Sequence, residues 1–178
     1  TSGTTGEPKG VLLSHGNLAE NVKAGLAWFT NLNEKSRCIS MLPWAHSFGI
    51  TADLHAFLMR GASIGIMGSV ETLIDDLPKV RPTFMITVPR IFNKVYNGVW
   101  AKMREAGGLK LKLFEMALAA ANAKRETGKV GLKFKILDRI VLKKIRDRFG
   151  GCLENAVTGS APMNVEIAKF FIDVGIPT

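Results

Sequence analysis

The residues best suited to chemistry come first: Thr1-Ser2-Gly3-Thr4-Thr5-Gly6-Glu7-Pro8-Lys9-Gly10. Glycines let a backbone take positive φ and approach a ligand closely. Successive N–H groups in such turns form a concavity that accepts an anion. The hydroxyls of Thr1, Ser2, Thr4 and Thr5 add neutral donors, and Lys9 adds a mobile point charge. The combination predicts a polyphosphate-binding loop, with Thr1, Ser2, Gly3, Thr4, Thr5, Gly6 and Lys9 as its contacts. It is not a Walker A loop, in which a Gly-Lys-Ser/Thr opens directly into a helix. Here Lys9 is followed by Gly10 and an apolar run, Val11-Leu12-Leu13. That run predicts a short strand, so the loop is expected to link two strands.

Three later stretches also stand out by residue type and place. Leu42-Pro43-Trp44-Ala45-His46-Ser47-Phe48-Gly49 sets a histidine in a mixed aromatic turn. Such a histidine can polarise a carboxylate or gate access to a pocket; taken alone, it reads better as a core histidine bonded to backbone. In Val88-Pro89-Arg90-Ile91-Phe92, a strand stop and a proline at the first helical position explain Pro89 fully. Thr158-Gly159-Ser160-Ala161-Pro162-Met163 is nearly bare of side chains at Gly159 and Ala161, so a flat ring can lie on the backbone. A simple strand-to-helix turn is the other reading.

In this order the four stretches resemble the adenylate-forming (AMP-binding) superfamily, which includes acyl-CoA synthetases, luciferases and peptide-synthetase adenylation domains. The Leu-Pro-Trp-Ala-His wording and the basic helical stretch with Trp100 are most similar to long-chain fatty acyl-CoA synthetases. The resemblance implies that the opening loop holds the β- and γ-phosphates of ATP. It implies that His46 is catalytic and that Trp44 lines the acyl pocket. It further implies that Gly159, Ser160, Ala161 and Pro162 lie against adenine and the acyl carboxylate. A fatty acid would be joined to AMP and then passed to CoA, with ATP, Mg²⁺ and CoA required. No metal ligand is assigned in this chain. The family's aromatic-Gly-x-Thr-Glu motif and its C-terminal catalytic lysine are not among the 178 residues, and Lys9 is not that lysine. With no initial methionine, residues 1–178 are expected to be one partial domain, a fragment of the family's N-terminal domain that is inactive alone. The alternatives are another adenylate-forming enzyme (an acyl-AMP or aryl-CoA ligase) or a non-catalytic basic module on a membrane or nucleic acid.

The elements that must position these residues follow from pattern and punctuation. Ser14 to Asn17 offers helix caps, and Leu18, Val22, Leu26 and Phe29 make one helical face. Strands are expected at 37–42, 62–67, 83–88 and 153–157, with helices at 50–59, 70–80, 91–104, 109–126, 134–149 and 164–174. In the 134–149 helix, Leu137, Ile140, Val141 and Ile145 form the expected inner face. Lys143, Lys144, Arg146 and Arg148 lie mostly opposite. A strand is expected to start at 175–178. Strand and helix alternating at this spacing predicts an α/β fold: a mostly parallel sheet with flanking helices, plus a basic helical insert. In such sheets ligands sit beyond the carboxyl ends of the strands, which draws notice to 43–49 and to Pro89-Arg90, each directly after a strand.

Length and composition suit one full-sized core, and no apolar run is long enough to span a bilayer. Cys38 and Cys152 fit no metal or redox spacing and are expected as buried free thiols in a cytoplasmic protein. The net charge of +9 is uneven: residues 90–148 carry 16 Lys/Arg against 5 Asp/Glu. The basic segment, 90–150, reads as a solvated helix face or as a peripheral contact with an anionic membrane. Nucleic acid is not expected, because aromatics there, Tyr96, Trp100, Phe114 and Phe134 among them, are few and no DNA or RNA motif appears.

Overall fold

The computed structural model describes residues 10–177. Four strands, β1 (Arg37–Ser40), β2 (Ser63–Ile66), β3 (Phe84–Thr87) and β4 (Asn155–Thr158), form one sheet in the order β2-β1-β3-β4. Every pairing is parallel. The register sets Cys38 beside Ile64 and Phe84, and Met85 beside Ala156. The α/β architecture with a mostly parallel sheet is therefore as the sequence predicts.

A parallel sheet has to be covered on both faces, and strand alternation divides the core accordingly. Cys38, Phe84 and Ile86 face one side, where Val22, Leu26, Leu32 and Phe57 cover them. These come from α1 (His15–Leu26), α2 (Ala56–Met59) and the loops beside them. Ile39, Met85 and Ala156 face the other side. That side is covered by α3 (Leu73–Val80), α4 (Pro89–Ala106), α5 (Gly108–Thr127), α6 (Leu132–Leu137), α7 (Lys143–Arg148) and α8 (Val165–Val174). Edge-to-face rings knit this layer: Phe92 and Phe171 lie 4.8 Å apart, and Trp100 and Phe114 5.0 Å apart. All four residues of β3 are buried, as expected for an inner strand.

Local signals account for the ends of most elements. Ser14 caps α1 in a full capping box, its hydroxyl accepting from Asn17 N–H at 3.1 Å. Pro89 opens α4 after extended Val88. Gly107 and Gly128 end α4 and α5 with positive φ. Asn164 caps α8, accepting from Glu166 N–H at 2.8 Å. Beyond α8 the chain turns back beside β4, where Pro177 C=O accepts from Ala156 N–H at 2.8 Å.

Several expectations need correction. Val11-Leu12-Leu13 is not a strand; its side chains are exposed, and among the described residues no neighbour takes its backbone hydrogen bonds. The expected helix at 50–59 is π-helical over Gly49–His55 before it becomes α2. The 134–149 helix is a rod of α6, a π-helical stretch at Asp138–Leu142, and α7. The wide turn shifts its inner face, so Leu142 is buried and Ile140 is exposed. Arg146 is not a free surface cation. It donates twice to Asp138, at 2.7 and 2.8 Å, and once to Val174 C=O at 2.7 Å, tying the rod to α8. Cys38 is buried, but Cys152 is only half-buried and takes a hydrogen bond from Arg81. No helix among the described residues is long and apolar enough to cross a membrane.

Gly150 and Gly98 provide a test of opposite sign. Gly150 has φ +88°, and a Cβ there would lie 2.7 Å from Arg81 Cα, backbone that cannot swing aside. Gly98 lies inside α4 with nothing within 4 Å of its would-be Cβ. Gly150→Ala is expected to lower the unfolding free energy by about 2–4 kcal/mol. Gly98→Ala is expected to raise it by about 0.5–1 kcal/mol. Denaturant unfolding of the two variants checks both signs.

Candidate functional site

The carboxyl ends of β1 and β4 carry the two turns that the sequence singled out. Pro43 stops β1, and the chain folds tightly: His46 N–H donates to Pro43 C=O at 3.0 Å, and Ile50 N–H donates to His46 C=O at 2.9 Å. Gly49 closes the turn. A Cβ there would stand 2.3 Å from the Pro43 carbonyl oxygen, so no larger residue fits this backbone. His46 is exposed, which removes the core-histidine reading.

A buried carboxylate holds this turn from below, and it escaped the sequence reading. Asp53, on the π-helical stretch, is fully buried beside β1. It accepts from Ser40 Oγ at 2.7 Å, Cys38 Sγ at 3.1 Å and Leu42 N–H at 3.3 Å. Ser40 Oγ in turn accepts from Trp44 Nε1 at 3.0 Å. A relay of hydrogen bonds thus runs from Asp53 through Ser40 to the indole. Burial pushes the Asp53 carboxyl above its ordinary value, and the donors from Ser40 and Cys38 oppose that rise. Burial also pushes the Cys38 thiol well up, with the Asp53 charge adding to it. Cys38 is therefore kept as an unreactive thiol. One signal was available: a lone acid inside the apolar run at 50–59 must be paired when it is buried.

The second turn follows β4. Gly159 N–H donates to Thr87 C=O at 3.3 Å. Ser160 takes φ +67°, a left-handed conformation uncommon for a residue with a side chain. Ser160, Ala161 and Pro162 are exposed. The side chain missing at Gly159 does admit a flat ring, and on that side the ring is Phe48: a Cβ at 159 would lie 2.8 Å from its Cζ. The structure therefore brings the His46 turn and the Gly159 turn together through one aromatic contact. Just below, Thr87 and Thr158 are register partners, and the Oγ1 atoms of both are buried without a partner. They are polar groups for which the described fold supplies no mate.

Under the paired turns lies an apolar cavity of about 370 Å³, lined by Val22, Leu26, Phe48, Phe57, Phe84 and Val157 among others. Trp44, expected as a pocket residue, does not line it; its indole is held at Ser40, and Phe48 takes that place. The phosphate-loop residues Thr1, Ser2, Gly3, Thr4, Thr5, Gly6 and Lys9 lie outside the described residues.

The model of the AMP-binding enzyme family matches residues 1–177. The chain belongs to that family. Among its relatives is peroxisomal long chain acyl-CoA synthetase 6 of Arabidopsis thaliana. It is 39% identical over 172 residues, which are 96% of this chain and 24% of that protein. Long-chain-fatty-acid–CoA ligase FadD15 of Mycobacterium tuberculosis is 33% identical over 184 residues, covering 99% of this chain and 30% of that one. Apo MatB from Rhodopseudomonas palustris shares the fold, with TM-score 0.61 and 19% identity over 99% of this chain and 26% of its own. The chain thus spans about a quarter of the length of the curated relatives it matches. As a member of the AMP-binding enzyme family, it carries the paired turns at the sheet end where parallel α/β proteins bind ligands.

The raised Asp53 value gives a pH test with a definite sign. The folded state favours protonated Asp53, so its contribution is fully present below the ordinary carboxylate range. It is lost as pH rises through the raised folded value. Asp53→Asn cannot ionise and sets an amide donor among donors, so it should destabilise the fold. Its deficit relative to the unaltered chain is expected to shrink as pH rises from about 3 to about 8. Denaturant midpoints across that range check this; a constant or widening deficit contradicts the assignment.

Proposed function

We propose that the protein of which these residues form part activates a carboxylic acid with ATP and transfers the acyl group to CoA, and that the acid is a long-chain fatty acid. The observation that carries this reading is the Phe48–Gly159 contact. It joins the two candidate turns over an apolar cavity at the carboxyl ends of a parallel sheet. Membership of the AMP-binding enzyme family and the resemblance to long chain acyl-CoA synthetases support it.

In this reading a carboxylate oxygen attacks the α-phosphorus of ATP; the new O–P bond forms as the bond to pyrophosphate breaks. The thiol sulfur of CoA then attacks the acyl carbon and AMP leaves. Both steps need charge stabilisation more than covalent help from the protein. The opening loop, with its hydroxyls, glycines and Lys9, takes the phosphates. Exposed His46 meets the acid or the entering thiol. Ser160, Ala161 and Pro162 offer backbone to adenine and the carboxylate, with Gly159 between them and Phe48. The cavity behind Phe48 takes an apolar chain, and its size lies within the usual range for a small-molecule pocket. A cytoplasmic setting goes with the free thiols of Cys38 and Cys152.

ATP–pyrophosphate exchange by the complete encoded protein, run with acids of rising chain length, tests the reading. Exchange is expected to require an acid and to rise with chain length. Lys9→Ala and His46→Ala are each expected to lower it by about 10²-fold. Exchange with no carboxylic acid contradicts the function, and a preference for aryl acids overturns the substrate class. Assayed by itself, the 178-residue chain is expected to show no exchange, since the family's aromatic-Gly-x-Thr-Glu motif and C-terminal catalytic lysine are not among its residues.

A further inference from the structure

The rod formed by α6, the π-helical stretch and α7 has an outer face that a merely solvated helix does not need. Leu137 and Leu142 point into the core. On the other side Leu132, Ile136 and Ile140 recur every four residues and are 74%, 50% and 49% exposed. Val130, in the turn just before the rod, is 50% exposed as well. One exposed leucine is ordinary. A stripe of four large apolar side chains along one rod and its leading turn is not.

Charge frames the stripe. Residues 129–148 hold Lys129, Lys133, Lys135, Arg139, Lys143, Lys144, Arg146 and Arg148 against two acids, Asp138 and Asp147. Both acids are engaged, Asp138 by Arg146 at 2.7 Å and Asp147 by Lys143 at 2.8 Å. Lys129, Lys133, Lys135, Arg139, Lys144 and Arg148 form no ion pair among the described residues. The face therefore combines an apolar ridge with unneutralised cations on both sides of it. A ridge of leucine and isoleucine seeks an apolar phase, while the flanking cations seek a dense array of anions. An anionic lipid surface offers both at the same depth, with acyl chains for the ridge and headgroup phosphates for the cations. A nucleic acid offers the anions alone. The stripe contains no aromatic residue on which bases could stack.

We propose that this face, Val130, Leu132, Ile136 and Ile140 with Lys133, Lys135, Arg139 and Lys144, is a docking surface for an anionic lipid bilayer. The rod lies in the plane of the interface and does not cross it. The proposal stands on the surface alone and is independent of the acid-activating reading.

Vesicle co-sedimentation of the complete encoded protein tests it, with phosphatidylcholine vesicles and with phosphatidylcholine vesicles carrying about one-third phosphatidylserine. Binding is expected on the anionic vesicles only, and is expected to weaken at least tenfold between about 0.05 and 0.5 M salt. Lys133→Glu with Lys135→Glu and Arg139→Glu is expected to weaken it by about 100-fold. Leu132→Gln with Ile136→Gln is expected to weaken it by about tenfold while leaving the salt dependence in place. All these positions are exposed, and thermal unfolding confirms that the variants fold; the lipid selectivity of the unaltered protein tests the proposal without any variant. The proposal is overturned by a lack of binding to anionic vesicles, by equal binding to both vesicle types, or by binding that both sets of variants leave unchanged. It is also overturned if the face drives self-association or nucleic-acid binding and not lipid binding.

Discussion

The contact between the Phe48 ring and the Gly159 backbone is the constraint on which the candidate site depends. It exists because β1 and β4 end on the same side of one sheet with only β3 between them. Neighbouring strands lie about 4.8 Å apart, so the two turns begin about 10 Å apart. A phenylalanine reaching from one turn can span that distance only if nothing stands between. β3 provides the gap, since Pro89 takes the chain straight from the strand into α4. Gly159 provides the landing place because it has no side chain. Gly49 fixes the launching turn, since its backbone sits against Pro43 where a Cβ has no room.

What lies beneath this contact has to be rigid, and the two faces of the sheet achieve that differently. The helical face is an apolar layer of interlocked rings, with Phe92, Phe170 and Phe171 at its centre. The α1 face is thinner and holds the cavity, so packing alone leaves it open. There Asp53 does the fixing. A buried carboxylate surrounded by donors is costly to move, because any shift leaves a charge or a donor without a partner. It joins Cys38 and Ser40 of β1 to Leu42 and, through Ser40, to Trp44. The widened π turn is what carries Asp53 in that position, in keeping with the tendency of such bulges to occur at functional sites.

The strands and helices were largely legible in the sequence, since each is bounded by a signal that acts locally. Pro43 and Pro89 end strands, Ser14 and Asn164 cap helices, and Gly61, Gly107, Gly128 and Gly175 stop them. What was not legible depends on partners distant in the chain. Val11-Leu12-Leu13 has the composition of a strand but no neighbour among the described residues. Arg146 looks like one more surface cation until Asp138 and the end of α8 are beside it. A π turn differs from an α turn by one residue per turn, too little for apolar spacing to reveal, and it moves Ile140 outward and Leu142 inward. Of the site, the positions of the two turns were readable. Their meeting through Phe48 was not, because no spacing rule relates residues 48 and 159.

The most direct measurement of the central claim, that these two turns form one site, is hydrogen exchange read by mass spectrometry. The complete encoded protein is compared with and without a non-hydrolysable acyl-adenylate analogue. The account predicts that exchange slows together in the segments 43–49 and 158–162, in proportion to occupancy. Slowing in only one of the two segments, or in neither at saturation, contradicts it.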